Sequence, residues 1–469
     1  MASATPRVDN APSYADRRGV AGWMLFDWAA QPFFTVVTTF VFGPYFVSRM
    51  ASDPVTGQSA WAWAVSVAGL VIAVLSPLLG SVADQTGYRK RWIGGLALLK
   101  ISGLVALWWA APGSDLLWVL SAFVLATVCA ELSIVVNDSM LPSLAPLDRV
   151  GRISSTAWGV GFAGGMVVLV FVIGWLAEQP DSGLTLLGNP SWWGLDTALG
   201  EDARIAGPLA AVWYAVFILP MMLFTPDKRT GVPTVSAVTA GLHALRGTLA
   251  ELRTRPVIFR FLMARMFYQD GVNALLAMGA AFAAALYGWS VVEVGVFGIV
   301  LNITAIFGCL LASRMDSRLG ARRTVMGCLW VLMLALGLMV ATGPDYTLFG
   351  WVSLTPASDS GWFNSAAERL CLFSGMLIGF AFGPVQSASR TYLAESVPAE
   401  DAGRYFGMYA LTGRATSFLA PALVGLATAA SASPNVGIAV IEFFFILGAI
   451  VLASLPDPDT RNASPPLQS

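Results

Sequence analysis

Ionisable side chains interrupt the long apolar segments of this chain at ten positions. A charged side chain inside a bilayer costs about 2.5–3.5 kcal/mol even on the lenient insertion scale, so each one is a candidate functional residue. The ten are Asp27, Lys100, Glu131, Asp138, Arg265, Asp270, Glu368, Arg369, Arg414 and Glu442. A carboxylate can hold an amine or a proton, and a guanidinium group binds anions. These residue types predict the binding of a small polar or zwitterionic solute inside a membrane.

The spacing of the same residues predicts polar faces on individual helices. Residues three, four or seven apart project from the same side of a helix. The sets that meet this condition are Asp27 with Gln31, Glu131 with Asp138, and Arg265, Gln269 and Asn273 with Asp270 beside them. The alternative is that opposite charges pair between helices only to fix packing. This alternative has more weight for Lys100, Glu368, Arg369 and Glu442. Some of these residues are near helix ends, where a long side chain can extend its charged group to the membrane surface.

The composition indicates a membrane protein. The 469 residues are 56% hydrophobic and only 12% charged, and the mean hydropathy is +0.69. A soluble protein of this size could not enclose so much apolar surface. The net charge of −1 gives no basis for nucleic-acid binding. The four cysteines lie in apolar segments without ligand spacing, so we predict neither a metal site nor a cofactor.

Apolar windows of about 20 residues predict an all-α polytopic membrane protein with twelve transmembrane helices in two six-helix repeats. The windows are Val20–Phe46, Ala60–Ala83, Trp92–Ala111, Leu116–Leu141, Ser154–Ala177, Ile205–Phe224, Ile258–Tyr287, Val291–Ser313, Thr324–Thr342, Trp362–Ser389, Tyr405–Ala429 and Val436–Leu455. The predicted divisions are a tail (residues 1–19), an N-terminal half (20–224), a linker (225–256), a C-terminal half (257–455) and a second tail (456–469). The linker has an apolar period that predicts an amphipathic helix on the membrane surface.

Basic residues predict the orientation of these helices. The loops after even-numbered helices and the two tails hold nearly all the arginines and lysines of the loops, and the opposite loops offer only Arg49 and Arg204. Under the positive-inside rule both termini are then cytoplasmic. Arg390 directly follows the tenth window and is counted among these loop cations.

One short stretch occurs twice and indicates a duplicated chain. The segment Gly80–Arg91 reads GSVADQTGYRKR, and Ala312–Arg323 reads ASRMDSRLGARR. Glycines let helices approach closely at a tight hairpin, and the acid can accept hydrogen bonds at the N-terminus of a neighbouring helix. We predict that these hairpins act as a gate. The residues concerned are Gly80, Asp84, Gly87, Arg89 and Lys90 in the first copy and Asp316, Gly320 and Arg322 in the second.

No nucleotide-binding loop is predicted. Gly159, Gly161 and Gly164 spell GxGxxG, but they lie inside an apolar helix with no preceding strand, where small residues instead favour close helix packing. The pattern GxxxxGK followed by Ser or Thr does not occur, which argues against an ATP-driven pump. No nucleophile and base lie at helical spacing, so we do not expect an enzyme.

The hairpin resembles the loop between helices 2 and 3 of the major facilitator superfamily, whose pattern is Gly-x-x-x-Asp-x-x-Gly-Arg-Lys/Arg. Tyr88 shifts the first cation to Arg89, and Ala312 replaces the leading glycine of the second copy. Further stretches look like the vacuolar amino-acid effluxer family of fungi and its bacterial relatives, namely MLFDWAAQPF, NDSMLP, ARMFYQDGVN, GPVQSASR and GRYFGMYALTGR. The resemblance implies a major facilitator fold in a bacterial inner membrane, with helices 1, 4, 7 and 10 around a central cavity.

The resemblance also implies a secondary transporter that works by alternating access on an amino acid, short peptide or related metabolite, with protons as the coupling ion and export as the direction. Arg265 and Arg414 would meet an anionic group, and Asp27 or an acid of helix 4 would meet an amine or a proton. The predicted binding residues are Asp27, Gln31, Glu131, Asn137, Asp138, Arg265, Gln269, Asp270, Asn273, Gln386 and Arg414. Asp27 and Arg265 occupy matching positions in the two halves, so we also predict that they pair across the cavity.

The expected partners are the solute, membrane lipid and protons, with no nucleic acid and no second subunit. An alternative from another class is a non-transporting sensor or scaffold built on a transporter fold. Charges on both halves of the cavity weigh against it, because a scaffold gains nothing by burying them unpaired.

Overall fold

The computed structural model describes most of the chain and is nearly all helical. The described residues are 14–50, 54–178, 183–227, 247, 254–287, 289, 291–354, 362–431 and 433–457. Twelve helical segments of this described chain are α1 Arg17–Tyr45, α2 Pro54–Thr86, α3 Arg89–Ala106, α4 Leu116–Asp138, α5 Leu147–Phe171, α6 Glu201–Phe224, α7 Pro256–Tyr287, α8 Val291–Leu319, α9 Ala321–Ala341, α10 Ala366–Ser396, α11 in two pieces Ala402–Thr412 and Leu419–Ser431, and α12 Pro434–Ala453. The predicted linker helix and most of both predicted tails lie outside the described residues.

A few short elements join these helices. They are the 3-10 turns Leu107–Trp109, Trp192–Gly194 and Leu348–Gly350, the helical turn Leu141–Leu144, the π-helical turns Phe46–Met50 and Val172–Leu176, and the strands β1 Tyr346–Thr347 and β2 Val352–Ser353. The two strands pair antiparallel, with Tyr346 opposite Ser353. We call α1–α6 the N-terminal half and α7–α12 the C-terminal half.

The helices have the length and apolar character of membrane spans. Among the described residues, ten segments are long and apolar enough to cross a bilayer. The other two predicted crossings are α7, which has 32 residues, and α11, whose pieces have 11 and 13 residues. Each predicted window falls on one of the twelve segments. The protein is therefore an all-α polytopic membrane protein, as the sequence predicts.

The largest differences from the predicted bounds occur where a helix continues through polar residues. α5 begins at Leu147 instead of Ser154, and α10 ends at Ser396 instead of Ser389. Hydropathy windows stop at polar side chains, whereas backbone hydrogen bonding does not. The extension of α10 matters most, because it carries Arg390 inside the helix.

Pro32 changes the course of α1. The helix adopts π-helical hydrogen bonding at Phe33–Phe40, directly after this proline. Because proline has no N–H, the carbonyl of Trp28, four residues earlier, loses its helical donor. The indole of Trp213 on α6 donates a hydrogen bond of 3.0 Å to that carbonyl instead. The bend in α1 is thus stabilised inside the N-terminal half.

α11 is broken near the middle of its length. Its two pieces are separated by turns at residues 413–418. Pro421, in the first turn of the second piece, cannot donate to the carbonyl of Ser417 and its ring crowds that group, so a continuous helix is disfavoured. Both pieces contact α7.

Glu368 caps the start of α10. The Ser365 hydroxyl accepts a hydrogen bond from the Glu368 N–H, and the Glu368 carboxylate accepts one from the Ser365 N–H. The indole of Trp289 also donates to this carboxylate, over 3.0 Å. Glu368 therefore belongs to a capping box at a helix end, which corrects its placement among the charges inside apolar segments.

Glycines bring the two halves into close contact where α2 crosses α11. A Cβ added to Gly80 would lie 2.0 Å from the Gly403 carbonyl oxygen, and a Cβ added to Gly403 would lie 2.4 Å from the Gly80 carbonyl oxygen. Any side chain at either position would therefore push the helices apart. The close approach that the first hairpin predicts is confirmed at its leading glycine.

The two faces of the bundle are named here by their loops. The hairpin side carries the α2–α3 turn at Gly87, and the long-loop side carries the segment 183–200 between α5 and α6. Towards the long-loop side the halves touch through the Phe40 ring and Gly298, where an added Cβ would lie 2.7 Å from the ring.

Candidate functional site

A cavity of about 340 Å³ lies between the two halves. Its wall comes mainly from α1, α4 and α5 on one side and from α7, α10 and α11 on the other. The polar and charged lining residues are Asp27, Gln31, Glu131, Asp138, Arg265, Gln269, Asn273, Gln386, Arg390 and Arg414. The aromatic lining residues are Phe34, Trp158, Phe162, Phe382, Phe406 and Tyr409. A concave, partly aromatic wall with a few convergent polar groups is typical of small-ligand sites.

Nine of the eleven predicted binding residues line this cavity. The other two do not. Asn137 is fully buried, and its backbone carbonyl accepts a hydrogen bond of 2.8 Å from the indole of Trp23. Asp270 is only 1% exposed. It directly follows Gln269, so its side chain points about 100° around α7 from the face that Arg265, Gln269 and Asn273 turn to the cavity. The helical periods on α1, α4 and α7 thus bring the remaining predicted residues of these helices together.

Arg390 lies at the hairpin-side floor of the cavity and joins both halves. Its Nη1 atom lies 2.9 Å from the Asp138 carboxylate and 3.3 Å from the Asp27 carboxylate. Its Nε donates to the Ser154 hydroxyl over 2.9 Å, and its Nη2 donates to the Ser154 carbonyl over 2.8 Å. The guanidinium carbon also lies 4.9 Å from the centroid of the Trp23 ring. Residues of α1, α4 and α5 therefore surround one cation from α10.

The observed partner of Asp27 corrects the predicted one. Asp27 pairs with Arg390, and Arg265 forms no ion pair with a carboxylate in the described part of the chain. The tenth hydropathy window ends one residue before Arg390 and therefore does not predict it as a cavity residue, whereas the helix continues for six residues beyond it, or about 9 Å. The stretch GPVQSASR, which ends in Arg390, was the available signal.

Arg265 is held by a ring and a carbonyl oxygen. Its guanidinium carbon lies 3.4 Å from the centroid of the Tyr409 ring, and its Nη1 donates to the Tyr409 carbonyl over 2.7 Å. Its Nε has no hydrogen-bond partner among the described residues. Gly413 leaves room for the group, since an added Cβ would lie 2.8 Å from Nη1. Stacking fixes the guanidinium plane and leaves donors free, an arrangement suited to an anion such as a carboxylate.

A second ion pair, Arg414 with Glu131, also connects the halves. The Arg414 Nη2 donates to Glu131 Oε1. Glu131 lies seven residues, or about 10 Å, farther from the hairpin side than Asp138 does. The two side chains are 32% and 20% exposed, compared with 2% for Arg390. Because water screens partly exposed pairs, this one is held more weakly than the Arg390 cluster.

Neutral amides form a third polar feature of the wall. Gln386 on α10 donates to Gln269 Oε1 over 2.9 Å, and Gln269 donates to Asn273 Oδ1 over 3.0 Å. Gln31 lines the same cavity from α1, at the position that matches Gln269 in the repeat. The repeat therefore places a glutamine on each half of the cavity.

The charges of the cavity cancel overall but not locally. It contains three arginines and three acids. Asp27 and Asp138 share the single cation Arg390, so this cluster carries one net negative charge when both acids are ionised. Arg265 forms no ion pair with an acid among the described residues, so it carries one net positive charge. The cavity thus offers separate sites for a cationic and an anionic group.

Asp84 connects the hairpin to the start of α11. Its carboxylate accepts hydrogen bonds from the N–H of Gly403, over 2.9 Å, and of Arg404, over 2.8 Å. Arg89 donates to the same carboxylate over 2.7 Å and to the Ala399 carbonyl over 3.3 Å. An acid at the N-terminus of a neighbouring helix satisfies N–H groups that have no helical partner. This confirms the hydrogen bonding that the sequence predicts for Asp84, and it closes the hairpin side.

The rest of the first hairpin connects α3 to the end of α6. Gly87 has a φ of +64°, in the left-handed region that favours glycine. The Lys90 ammonium donates to the Thr225 carbonyl over 2.7 Å, and the Lys90 N–H donates to Asp227 over 3.1 Å. Burial raises the pKa of the Asp227 carboxyl, and this N–H donor opposes that rise.

The second hairpin makes its described contacts inside one half. Gly320 has a φ of +84°, so the turn glycine of the first copy is repeated. Arg322 pairs with Asp457 over 2.7 Å, which connects α9 to the end of α12. The side chain of Asp316 lies outside what the structure describes. The described residues of this copy thus hold the C-terminal half together instead of joining the halves.

The second and third glycines of the GxGxxG pattern, Gly161 and Gly164, pack α5 against α1, whereas Gly159 faces Cys309 on α8. A Cβ added to Gly161 would lie 3.2 Å from the Asp27 carbonyl oxygen, and a Cβ added to Gly164 would lie 2.8 Å from the Trp28 carbonyl oxygen. Close packing through small residues is therefore confirmed. It also fixes the backbone of α1 at Asp27.

Five of the ten predicted charges do not line the cavity, namely Lys100, Asp270, Glu368, Arg369 and Glu442. Lys100 is 1% exposed, and its ammonium lies 3.7 Å from the Tyr214 ring centroid and 5.4 Å from that of Phe33. Arg369 donates to the Phe363 carbonyl at the start of α10. The observed contacts of Lys100 and Arg369 thus serve packing through rings and a carbonyl oxygen, not through the opposite-charge pairing given as the alternative.

Side chains of metal-binding type do not cluster in the described ranges. No group of three or more His, Cys, Asp or Glu side chains there could hold a metal ion. The four cysteines are free thiols, three of them buried.

The chain matches the family model described as vacuole effluxer Atg22 like over residues 54–463. The uncharacterized MFS-type transporter YxiO of Bacillus subtilis is 21% identical over 445 residues, which cover 94% of this chain and 96% of YxiO. Autophagy-related protein 22 of Cryptococcus neoformans is 26% identical over 306 residues, 64% of this chain and 51% of the fungal protein. The chain thus spans about half the length of this fungal relative.

Solved structures of major facilitators are similar in fold. The proton:xylose symporter XylE has a TM-score of 0.65 and 15% identity, with 94% of this chain and 95% of XylE covered. FucP in the outward conformation has a TM-score of 0.67 and 12% identity, with 93% and 97% covered. The chain therefore has the major facilitator fold, belongs to the Atg22-like vacuole effluxer family, and is a transporter of the major facilitator type.

Proposed function

We propose that this transporter moves a small zwitterionic solute, such as an amino acid or a short peptide, by alternating access. The observation that carries the proposal is the separation of charge in the cavity. Arg265 has an excess positive charge with free donors, and the Asp27, Asp138 and Arg390 cluster has an excess negative charge. A carboxylate at Arg265 and an ammonium group at Asp27 would each neutralise one of them.

The size and the neutral lining of the cavity support a small solute. Ligand pockets range over about 300–1,000 Å³, so a cavity of about 340 Å³ is near the lower end. The amides of Gln31, Gln269, Asn273 and Gln386 can both donate and accept hydrogen bonds, which suits the polar groups of an amino acid or peptide.

The same cluster supports proton coupling. Two carboxylates share one guanidinium group at Arg390, and both are largely buried. Burial and the nearby like charge favour a proton on one of the two acids. Such a proton would weaken the hold of the N-terminal half on Arg390 and so favour opening of the hairpin side. We therefore assign proton binding to Asp27 or Asp138.

The family supports export, and the loop charges support the orientation. The matching family model is described as an effluxer, and YxiO is a bacterial relative that covers the same length. We infer a bacterial inner membrane with the hairpin side and both termini in the cytoplasm, because the basic loops lie on that side. The Asp84 carboxylate joins the two halves at one face only, through the N–H groups at the start of α11. Such a contact favours a transporter, whose halves must separate on one side, over the alternative of a non-transporting scaffold.

A thermal-unfolding screen of the purified protein tests the proposal, because a ligand that binds only the folded state raises the melting temperature. We expect α-amino acids or short peptides to stabilise the protein and to do so more than their decarboxylated or deaminated analogues. The Arg265→Gln variant should lose this stabilisation, and Arg149→Gln, whose side chain is 73% exposed, should keep it. Stabilisation by sugars alone, or equal stabilisation by the decarboxylated analogues, would contradict the proposal.

A further inference from the structure

Asp270 on α7 is a buried carboxylate that the solute cavity does not use. Neither of its oxygens has a hydrogen-bond partner among the described residues. Arg265, five residues earlier, is the cation whose charge acts on it, but from beyond ion-pair distance. A carboxylate buried in this way is strongly unfavourable unless a proton or a cation accompanies it.

The break in α11 faces this carboxylate. The Thr416 side chain lies beside the Asp270 carboxylate. The two groups do not form a hydrogen bond with good geometry, and the Thr416 hydroxyl has no other hydrogen-bond partner among the described residues. Within the break and at its edge, the carbonyl oxygens of Thr412, Gly413 and Ala415 accept no backbone hydrogen bond in this part of the chain. Oxygen atoms without donors therefore come from two neighbouring helices.

The chemistry of these oxygens favours a hard cation. Carboxylate, hydroxyl and carbonyl oxygens are the ligands of Na⁺, Mg²⁺ and Ca²⁺, and a single carboxylate balances one positive charge. Unwound helix segments in transporters coordinate Na⁺ through their carbonyl oxygens. We propose that Asp270, Thr416 and the broken segment 413–418 form a sodium-binding site. Gly413 and Arg414 line the solute cavity and so provide access for the ion.

The site connects to the solute cavity through α11. Arg265 donates to the Tyr409 carbonyl just before the break, and its guanidinium lies against Gly413. An ion bound between Asp270 and Thr416 holds both pieces of α11 against α7 and thereby fixes the guanidinium of Arg265. The sodium site does not depend on the identity of the solute, because the ion binds in its absence.

Equilibrium binding of ²²Na⁺ to the purified full-length protein in lipid nanodiscs, with choline as the replacement cation, tests the proposal. We expect saturable binding of one ion per chain. Asp270→Asn should abolish it, and Thr416→Val should weaken it by about tenfold. Arg149→Gln, at a side chain that is 73% exposed and far from the break in α11, should leave it unchanged. In buffer with choline in place of sodium, the melting temperature of Asp270→Asn should be no lower than that of the unmodified protein, because the variant lacks an uncompensated buried charge. This measurement shows that the variant is folded.

Three results would overturn the sodium site. The first is no saturable binding to the unmodified protein, and the second is full binding to Asp270→Asn. The third is a protein whose melting temperature is raised by low pH but not by Na⁺, with the effect of pH lost in Asp270→Asn. That result would show that the Asp270 carboxyl carries a proton instead of binding Na⁺. Sodium binding without any stabilisation by zwitterions would support this site and reject only the proposed solute.

Discussion

Arg390 on α10 lies 2.9 Å from Asp138 on α4, and this contact joins the two halves below the cavity. The Arg390 side chain is 2% exposed and Asp138 is 9% exposed, so water screens the pair very little. Because Asp27 shares the same guanidinium group, a change of charge at either acid alters the contact between the halves. The proposed binding site for the solute and the proton therefore includes a contact that holds the two halves together at the hairpin side.

We expect Arg390→Gln to destabilise the protein by about 3–5 kcal/mol, because two buried carboxylates lose their cation. The Asp138→Asn and Arg390→Gln double variant should recover part of that loss, since it leaves one fewer charge unpaired. Unfolding by denaturant in detergent measures both. Arg149→Gln is the matched surface control. A change of less than about 0.5 kcal/mol in Arg390→Gln would show that the cluster does not hold the fold.

We expect Asp84→Ala to open the hairpin side without a large loss of solute affinity. The change removes the acceptor for two N–H groups of α11, and Asp84 lies outside the cavity. Ser76→Cys, at a buried position between α2 and α11, should then react faster with a maleimide in a background without the native cysteines. Asp148→Ala, 75% exposed, is the control. A large loss of affinity with unchanged labelling would place Asp84 in the binding site instead.

We expect Gly80→Ala to destabilise the closed hairpin side by about 1–3 kcal/mol, because the new methyl group would overlap the Gly403 carbonyl. Gly95→Ala on α3 is the matched control, since nothing lies within 4 Å of its added Cβ. The rate of maleimide labelling at Ser76→Cys measures the opening of the hairpin side, and thermal unfolding measures the loss of stability. Equal behaviour of the two variants would contradict the close α2–α11 crossing.

We expect Leu187→Cys, in the α5–α6 loop and 53% exposed, to react with an impermeant maleimide added outside intact cells. Arg149→Cys, on the hairpin side, should react only after permeabilisation. These two positions test the proposed orientation. The reverse labelling pattern would place both termini outside.

The parts of the site that follow from a local period could be predicted from the sequence. Asp27 with Gln31 and Arg265 with Gln269 reach the cavity because residues four apart share a helix face. The hydrogen bonds of Asp84 could be predicted because an acid beside a tight turn can accept hydrogen bonds from the free N–H groups at the start of a neighbouring helix.

The parts that depend on long-range geometry could not be predicted. Asp27 pairs with Arg390 rather than Arg265, and no local pattern specifies a partner 363 residues away. Hydropathy windows carry no information on backbone geometry, so they do not predict the break in α11, although Gly413 and Pro421 mark its two edges. The sequence predicts Asp270 among the cavity residues because it is adjacent to Gln269, but adjacent residues of a helix point in different directions, and Asp270 does not line the cavity.

Flux of labelled amino acids in proteoliposomes tests the central claim most directly. With a pH gradient imposed, the unmodified protein should move a zwitterion in a saturable manner, and Arg149→Gln should do the same. Arg265→Gln and Asp27→Asn should each reduce this flux to the level of empty liposomes, because one charged end of the solute loses its partner. Zwitterion flux at the unmodified rate in Arg265→Gln would contradict the claim that the separated charges of the cavity bind the solute.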